Sequence, residues 1–161
     1  MKKLIMTLLL STSLVISSSA LADPAPNAVS LELFGRANSY SLDYDHSFSE
    51  RFALGAGFSY GNMSRHRFHS STASLTVIPV YGNYYFESGI NRGFVTAGAD
   101  ILSASQTLNG AQTFRSSGGA AVFGGGYEYR GVSGFLFRGA SYVIVGRSTE
   151  MTIGLSVGAT F

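Results

Sequence analysis

The 161-residue chain contains no cysteine, which excludes a disulfide framework and any thiolate metal site. Lysine is almost as scarce, since Lys2 and Lys3 are the whole complement. Long hydrophobic runs are also missing beyond residue 22. No later stretch approaches the roughly 18 consecutive apolar residues that mark an ordinary membrane helix. Charge itself is sparse. Residues 23–161 carry nine arginines and nine acids, a formal net charge of zero. Charged residues make up roughly one in eight of this part, about half the share usual for a soluble domain. The apparent basicity of the full chain comes from the two lysines, so it gives no reason to expect a nucleic-acid partner.

What the chain does have begins with its first 22 residues. Lys2 and Lys3 form a positive start, and Leu4 to Ile16 form an apolar stretch broken by Thr7 and Ser11 to Ser13. Ala20-Leu21-Ala22 puts small residues at the −3 and −1 positions of a cleavage site before Asp23. This is the pattern of a secretory signal peptide. The apolar run falls short of the roughly 20 residues of a retained anchor. The domain expectation is a signal peptide at 1–22 and a single folded domain at 23–161. All 20 glycines, nine tyrosines and twelve phenylalanines lie in that domain.

The alternation of side chains decides the fold class. Met151, Ile153, Leu155, Val157, Ala159 and Phe161 fall on one side of an extended chain, with Thr152, Gly154, Ser156, Gly158 and Thr160 on the other. Period-two alternation of this length suits a tilted membrane-spanning strand, and a helix would scatter both sets around its circumference. Phe52, Leu54, Ala56, Phe58 and Tyr60 repeat the pattern opposite Ala53, Gly55, Gly57, Ser59 and Gly61. A soluble barrel would bury the bulky set and show a charged face to water, and these strands have no charged face. In a lipid-exposed barrel the apolar set faces hydrocarbon and the small set faces the lumen. Unpaired backbone is not tolerated in hydrocarbon, so the sheet must close.

The expectation is therefore an all-β protein, an eight-stranded antiparallel transmembrane β-barrel with up-and-down meander topology. Its strands fall at approximately 29–36, 39–46, 52–61, 73–86, 93–103, 119–130, 132–143 and 150–161. Short connections follow the second, fourth and sixth strands, the last being Gly131 alone. Long polar connections, Asn62 to Thr72 and Ala104 to Gly118, follow the third and fifth. Alternating lengths match periplasmic turns and extracellular loops, with both termini periplasmic.

Phe161, preceded by apolar Ala159, Val157 and Leu155, resembles the C-terminal signature read by the bacterial barrel assembly machinery. Tyr127-Glu128-Tyr129-Arg130 followed by Gly134 to Arg138, together with the aromatic segment Tyr40 to Phe48, is similar to small outer-membrane β-barrel proteins of Gram-negative bacteria. The resemblance implies location in the cell outer membrane. It implies biogenesis through periplasmic chaperones and the assembly machinery, with Phe161 as assembly signal. Outer-membrane lipid and lipopolysaccharide become the expected surroundings. It transfers no catalytic residue.

Continuing the alternation puts Glu32, Asp43, Asp100, Glu128, Arg130 and Arg138 on inward faces. Facing mid-bilayer lipid, each would cost roughly 2–4 kcal/mol. In the lumen they form a candidate charge network. Eight strands leave barely enough interior for side chains, so a polar plug is favoured over an ion pathway. The run Arg65-His66-Arg67-Phe68-His69 is the most distinctive loop feature. Its guanidinium groups suit phosphate, which makes Arg65 and Arg67 candidate contacts for lipopolysaccharide.

His69 beside Ser70 and Ser71 superficially resembles the site of lipid A deacylases, which are also small outer-membrane barrels. However, no acid lies between Glu50 and Glu87 to orient a base. His66 and His69 alone make a weak metal site, and His46 falls near a turn. Gly124-Gly125-Gly126 lies mid-strand without the context of a phosphate cradle. The functional expectation is a structural or surface-interaction protein with no catalysis, cofactor or metal. The alternatives are a narrow pore or a lipid A-modifying enzyme.

Overall fold

The computed structural model describes residues 25–37, 39–65, 71–108 and 111–161. They form a closed antiparallel barrel in which each strand pairs with the next and β1 pairs with β8. The strands are β1 (Asn27–Leu33), β2 (Tyr40–Ser49), β3 (Phe52–Arg65), β4 (Ser71–Tyr85), β5 (Asn91–Leu108), β6 (Ala111–Arg130), β7 (Phe135–Val145) and β8 (Thr149–Thr160). No helix occurs among the described residues.

Burial follows the two-residue period of each strand. In β1, Ser30 and Glu32 are buried while Val29, Leu31 and Leu33 are exposed; in β7, Leu136 and Arg138 are buried between exposed Phe135 and Phe137. The pattern is inverted from that of a soluble sheet. Exposed large side chains, among them Leu42, Phe58, Val80, Val95, Phe123 and Leu155, clothe the outside, while the charges lie within. Such an apolar exterior around a polar interior belongs to a membrane-spanning barrel.

At the end that carries both termini, Asn27 N–H donates to Phe161 O (3.1 Å) and Phe161 N–H to Asn27 O (3.0 Å), closing the seam. Aromatic side chains crowd the outer surface of this end. Phe48 lies against His46 and Phe52, and Tyr84 against Phe86. Amphipathic rings at such a level form the girdle that meets lipid headgroups.

Several boundaries differ from those read in the sequence. β1 stops at Leu33 because Phe34 takes a left-handed φ of 60° and its N–H bonds Ser39 O (2.8 Å). β7 starts at Phe135, since Gly131 to Gly134 form a turn in which Gly134 N–H donates to Gly131 O (2.9 Å). Gly134 has a φ of 83°, a conformation that glycine adopts without a steric penalty.

The larger correction concerns the connections expected at 62–72 and 104–118. Most of both is strand. Pairing of β3 with β4 continues to Arg65 and Ser71, and pairing of β5 with β6 continues to Leu108 and Ala111. β5 and β6 run to 18 and 20 residues, against the roughly 9–11 needed to cross a bilayer. β6 loses its other neighbour early, because its pairing with β7 ends at Ala121 and Val145. The outer parts of β3 to β6 therefore rise as a wall beyond the rim set by β7, β8 and the β1–β2 turn.

Candidate functional site

Among the described residues the lumen holds five buried acids (Glu32, Asp43, Asp45, Asp100 and Glu128) and four buried arginines (Arg36, Arg92, Arg130 and Arg138), each at most 3% exposed. Alternation on five strands and one turn brings them inside, and they sort into two layers.

The layer nearer the termini is built on Glu128 of β6. Its Oε2 accepts from Arg138 Nε (2.9 Å), Arg138 Nη2 (2.5 Å) and the Tyr85 hydroxyl (3.1 Å). Its Oε1 accepts from Arg130 Nε (3.2 Å) and from Arg92 Nη2. Arg138 also reaches across to Asp45 (2.8 Å), joining β7 to β2 through the interior. Arg92 lies over the Tyr85 ring, 3.7 Å from its centroid. Arg130 bonds the Ala25 carbonyl (3.0 Å) and the Ser47 hydroxyl (3.3 Å). Two carboxylates thus meet three guanidinium groups.

The second layer is built on Arg36, which comes from the β1–β2 turn and folds back into the barrel. Its backbone N–H donates to Glu32 Oε2 (3.0 Å), and its guanidinium pairs with Glu32 (3.4 Å) and Asp43 (3.3 Å). The same guanidinium stacks on the Tyr81 ring at 3.3 Å from the centroid. On the far side, the Tyr142 hydroxyl donates to Glu32 Oε1 (2.6 Å). Asp100 of β5 feels the charges of Arg36, Glu32 and Asp43. Among the described residues no ion pair reaches Asp100, and its Oδ1 has no hydrogen-bond partner. This layer sets three carboxylates against one guanidinium.

Packing around both layers is tight. A Cβ added to Gly57 would lie 1.9 Å from Asp43 Oδ1, and one on Gly55 2.3 Å from Asp45 Oδ1. The glycines of β3 make room for the acids of β2. With Tyr81, Tyr85 and Tyr142 all buried beside the charges, the arrangement is a cross-braced polar plug. Above it a cavity of about 340 Å³ opens at the rim away from the termini, with Arg36 and Asp100 in its lining.

The six charged residues singled out in the sequence are all buried in the lumen. Glu128, Arg130 and Arg138 meet in one layer, Glu32 and Asp43 meet on Arg36, and Asp100 stands apart. Arg65 ends β3 with its backbone opposite Ser71. Arg67, His66 and His69 lie outside the described residues, as does the 1–22 leader. His46 Nδ1 lies 2.8 Å from Asn27 Oδ1, which also accepts from the Tyr44 hydroxyl (2.8 Å).

Sequence reasoning missed Asp45, Arg36, Arg92 and the three tyrosines. Asp45 shares the parity of Asp43 and was readable from it. Tyr81 and Tyr85 share the parity of Asn83 in β4. Arg92 falls just before the fifth expected strand, although it lies on β5 with the parity of Asp100, and Arg36 ends the first expected strand where the structure has the β1–β2 turn.

Comparison with known proteins agrees with the geometry. No family model and no curated protein sequence matches the chain. Solved structures do share its shape. The N-terminal β-barrel domain of Pseudomonas aeruginosa OprF matches with a TM-score of 0.59 and 19% identity, over 84% of this chain and 95% of that one. Neisserial surface protein A matches with a TM-score of 0.58 and 11% identity, over 84% and 93%. Ail, the attachment invasion locus protein of Yersinia pestis, solved with the heparin analogue sucrose octasulfate, matches with a TM-score of 0.54 and 12% identity, over 83% and 91%. At these identities the likeness establishes the fold, that of small eight-stranded outer-membrane β-barrels.

Proposed function

We propose that the chain is exported by cleavage of residues 1–22 and resides in the outer membrane of a Gram-negative cell as a non-catalytic structural and surface-interaction protein. The observation that carries this reading is the plug. Glu128 gathers three arginines in the middle of the lumen, and the interior is braced rather than arranged around a path. A conducting pore needs charges that release an ion as readily as they take it. The Glu128 carboxylate already accepts five hydrogen bonds from protein donors.

The surface is the part left to act. The wall formed by the outer ends of β3 to β6 includes Arg65 at the end of β3, and Arg67 follows it in the sequence before β4. Planar guanidinium groups there suit the phosphates of lipopolysaccharide. That Ail is described with a heparin analogue shows a neighbouring barrel of this shape receiving a polyanionic ligand, which supports an anionic partner for these arginines. The chain reaches its membrane through the chaperones and assembly machinery that read Phe161.

Two measurements test the reading together. The purified barrel in planar bilayers should give no stepwise conductance, and lipid A should have the same mass spectrum in cells with and without the protein. Discrete current steps would replace the plug with a channel, and a changed acyl pattern would replace the structural role with an enzyme. Replacing Arg65 and Arg67 by Gln should weaken binding of the refolded barrel to lipopolysaccharide while its heat-modified gel shift persists.

A further inference from the structure

The two layers of lumen charge differ in sign. Nearer the termini three guanidinium groups face two carboxylates, whereas beneath the outer rim one guanidinium faces three. Asp100 is 3% exposed, and it lines the outer cavity together with Arg36. Its Oδ1 and the Oδ1 of Asp43 are both buried without a hydrogen-bond partner among the described residues. A buried carboxylate left in that condition attracts a positive donor strongly.

The walls above it combine an apolar collar with polar groups, Ser116, Ser117, Arg147, Ser148 and Glu150. Leu75, Val77, Leu102 and Ile144 line the cavity on the inward faces of β4, β5 and β7. At about 340 Å³, the space falls within the roughly 300–1,000 Å³ typical of small-molecule pockets. A hydrated divalent metal needs several oxygen ligands, and no group of three metal-ligating side chains occurs among the described residues. A primary ammonium asks for less. It carries three donors on one compact charge, and an alkyl tail behind it matches the apolar collar.

We propose that the outer cavity is a binding site for a primary alkylammonium compound, with the ammonium on Asp100 and the alkyl chain against Leu102, Val77 and Ile144. Asp100 anchors the charge. Arg36, already committed to Glu32 and Asp43, fixes the depth at which the head group stops. Ligands reach the site from the outer face, because the plug closes the other end.

The test uses the full barrel, ¹⁵N-labelled and refolded into uncharged detergent micelles, titrated with butylammonium chloride and separately with sodium butyrate. Saturable amide shifts in β5 and β6 around Asp100 are expected with the amine, and none with the carboxylate. Asp100→Asn should weaken the amine at least tenfold. Gly118→Leu supplies a second arm, since Gly118 lines the cavity and a Cβ there meets nothing within 4 Å. That side chain fills the cavity without disturbing Asp100, and it should weaken binding comparably. If Asp100→Asn does not refold, Gly118→Leu decides alone. Unsaturable shifts, an equal response to butyrate, or parent-like affinity in a folded variant overturns the site.

Discussion

Replacing Glu128 by Gln is the sharpest perturbation of the plug. The carboxylate is fully buried and is the common acceptor for Arg92, Arg130, Arg138 and Tyr85. Gln keeps the shape, removes the charge, and turns one accepting oxygen into an NH₂ that faces guanidinium donors. Asp45 would then be the one carboxylate left among three arginines in this layer. Breaking a buried pair from one side costs about 3–5 kcal/mol. With a urea slope of about 1–3 kcal/mol per molar for small proteins, the unfolding midpoint in lipid vesicles should fall by more than about 1 M at unchanged slope. Asp100→Asn supplies the opposite sign, because it removes a buried charge that no arginine pairs with among the described residues, so its midpoint should stay level or rise. If Glu128→Gln shifts the midpoint no further than Arg147→Leu does at the exposed β7–β8 turn, the lumen charges do not brace the barrel.

Leu155→Arg puts a charge on the exposed face of β8, between the outward positions of Ile153 and Val157, and should cost about 2–4 kcal/mol near the bilayer midplane, read as a lowered urea midpoint. Gly126→Ala should destabilise by roughly 1–3 kcal/mol through overpacking, because its Cβ would lie 2.1 Å from Gly139 O and 2.7 Å from Ala140 Cα; a parent-like melting curve would mean that β6 and β7 approach less closely. Deleting Phe161 should reduce the barrel recovered from outer membranes of living cells while refolding of the purified chain is nearly unchanged, and equal loss in both settings would make Phe161 a structural residue rather than an address.

Strand identity was legible wherever lipid and lumen impose contrast. In β8 the alternation of Ile153, Leu155 and Val157 with Gly154, Ser156 and Gly158 reads directly as outside and inside. Beyond the bilayer that contrast fades. The stretch from Ala104 to Gly118 is rich in Ser, Ala, Gly and Thr, with little hydropathic difference between its faces. It therefore read as loop, although backbone pairing carries β5 and β6 through most of it. The charges of the plug were legible by parity along strands, which is how Arg138 and Glu128 came to the same place. Parity says nothing of turns, and Arg36, the centre of the outer layer, lies in one. Which acid meets which arginine depends on register across the lumen, information no single strand contains.

The seam between β1 and β8 bears on how the chain selects its final form. Seven of the eight strand pairings join consecutive strands, and the eighth brings Ala28 opposite Thr160. Closing so long a loop is entropically the dearest of the pairings, and hairpins can form before it. Several interior contacts wait for that closure. Arg138 of β7 meets Asp45 of β2, and Tyr142 of β7 meets Glu32 of β1. A sheet that closed one strand short would separate these partners. A strand that slipped by one residue would turn its own inward charges toward lipid. The cross-lumen contacts are therefore complete only in a barrel of eight strands in this register, and they lower the free energy of that closed form relative to a sheet of wrong strand number or register.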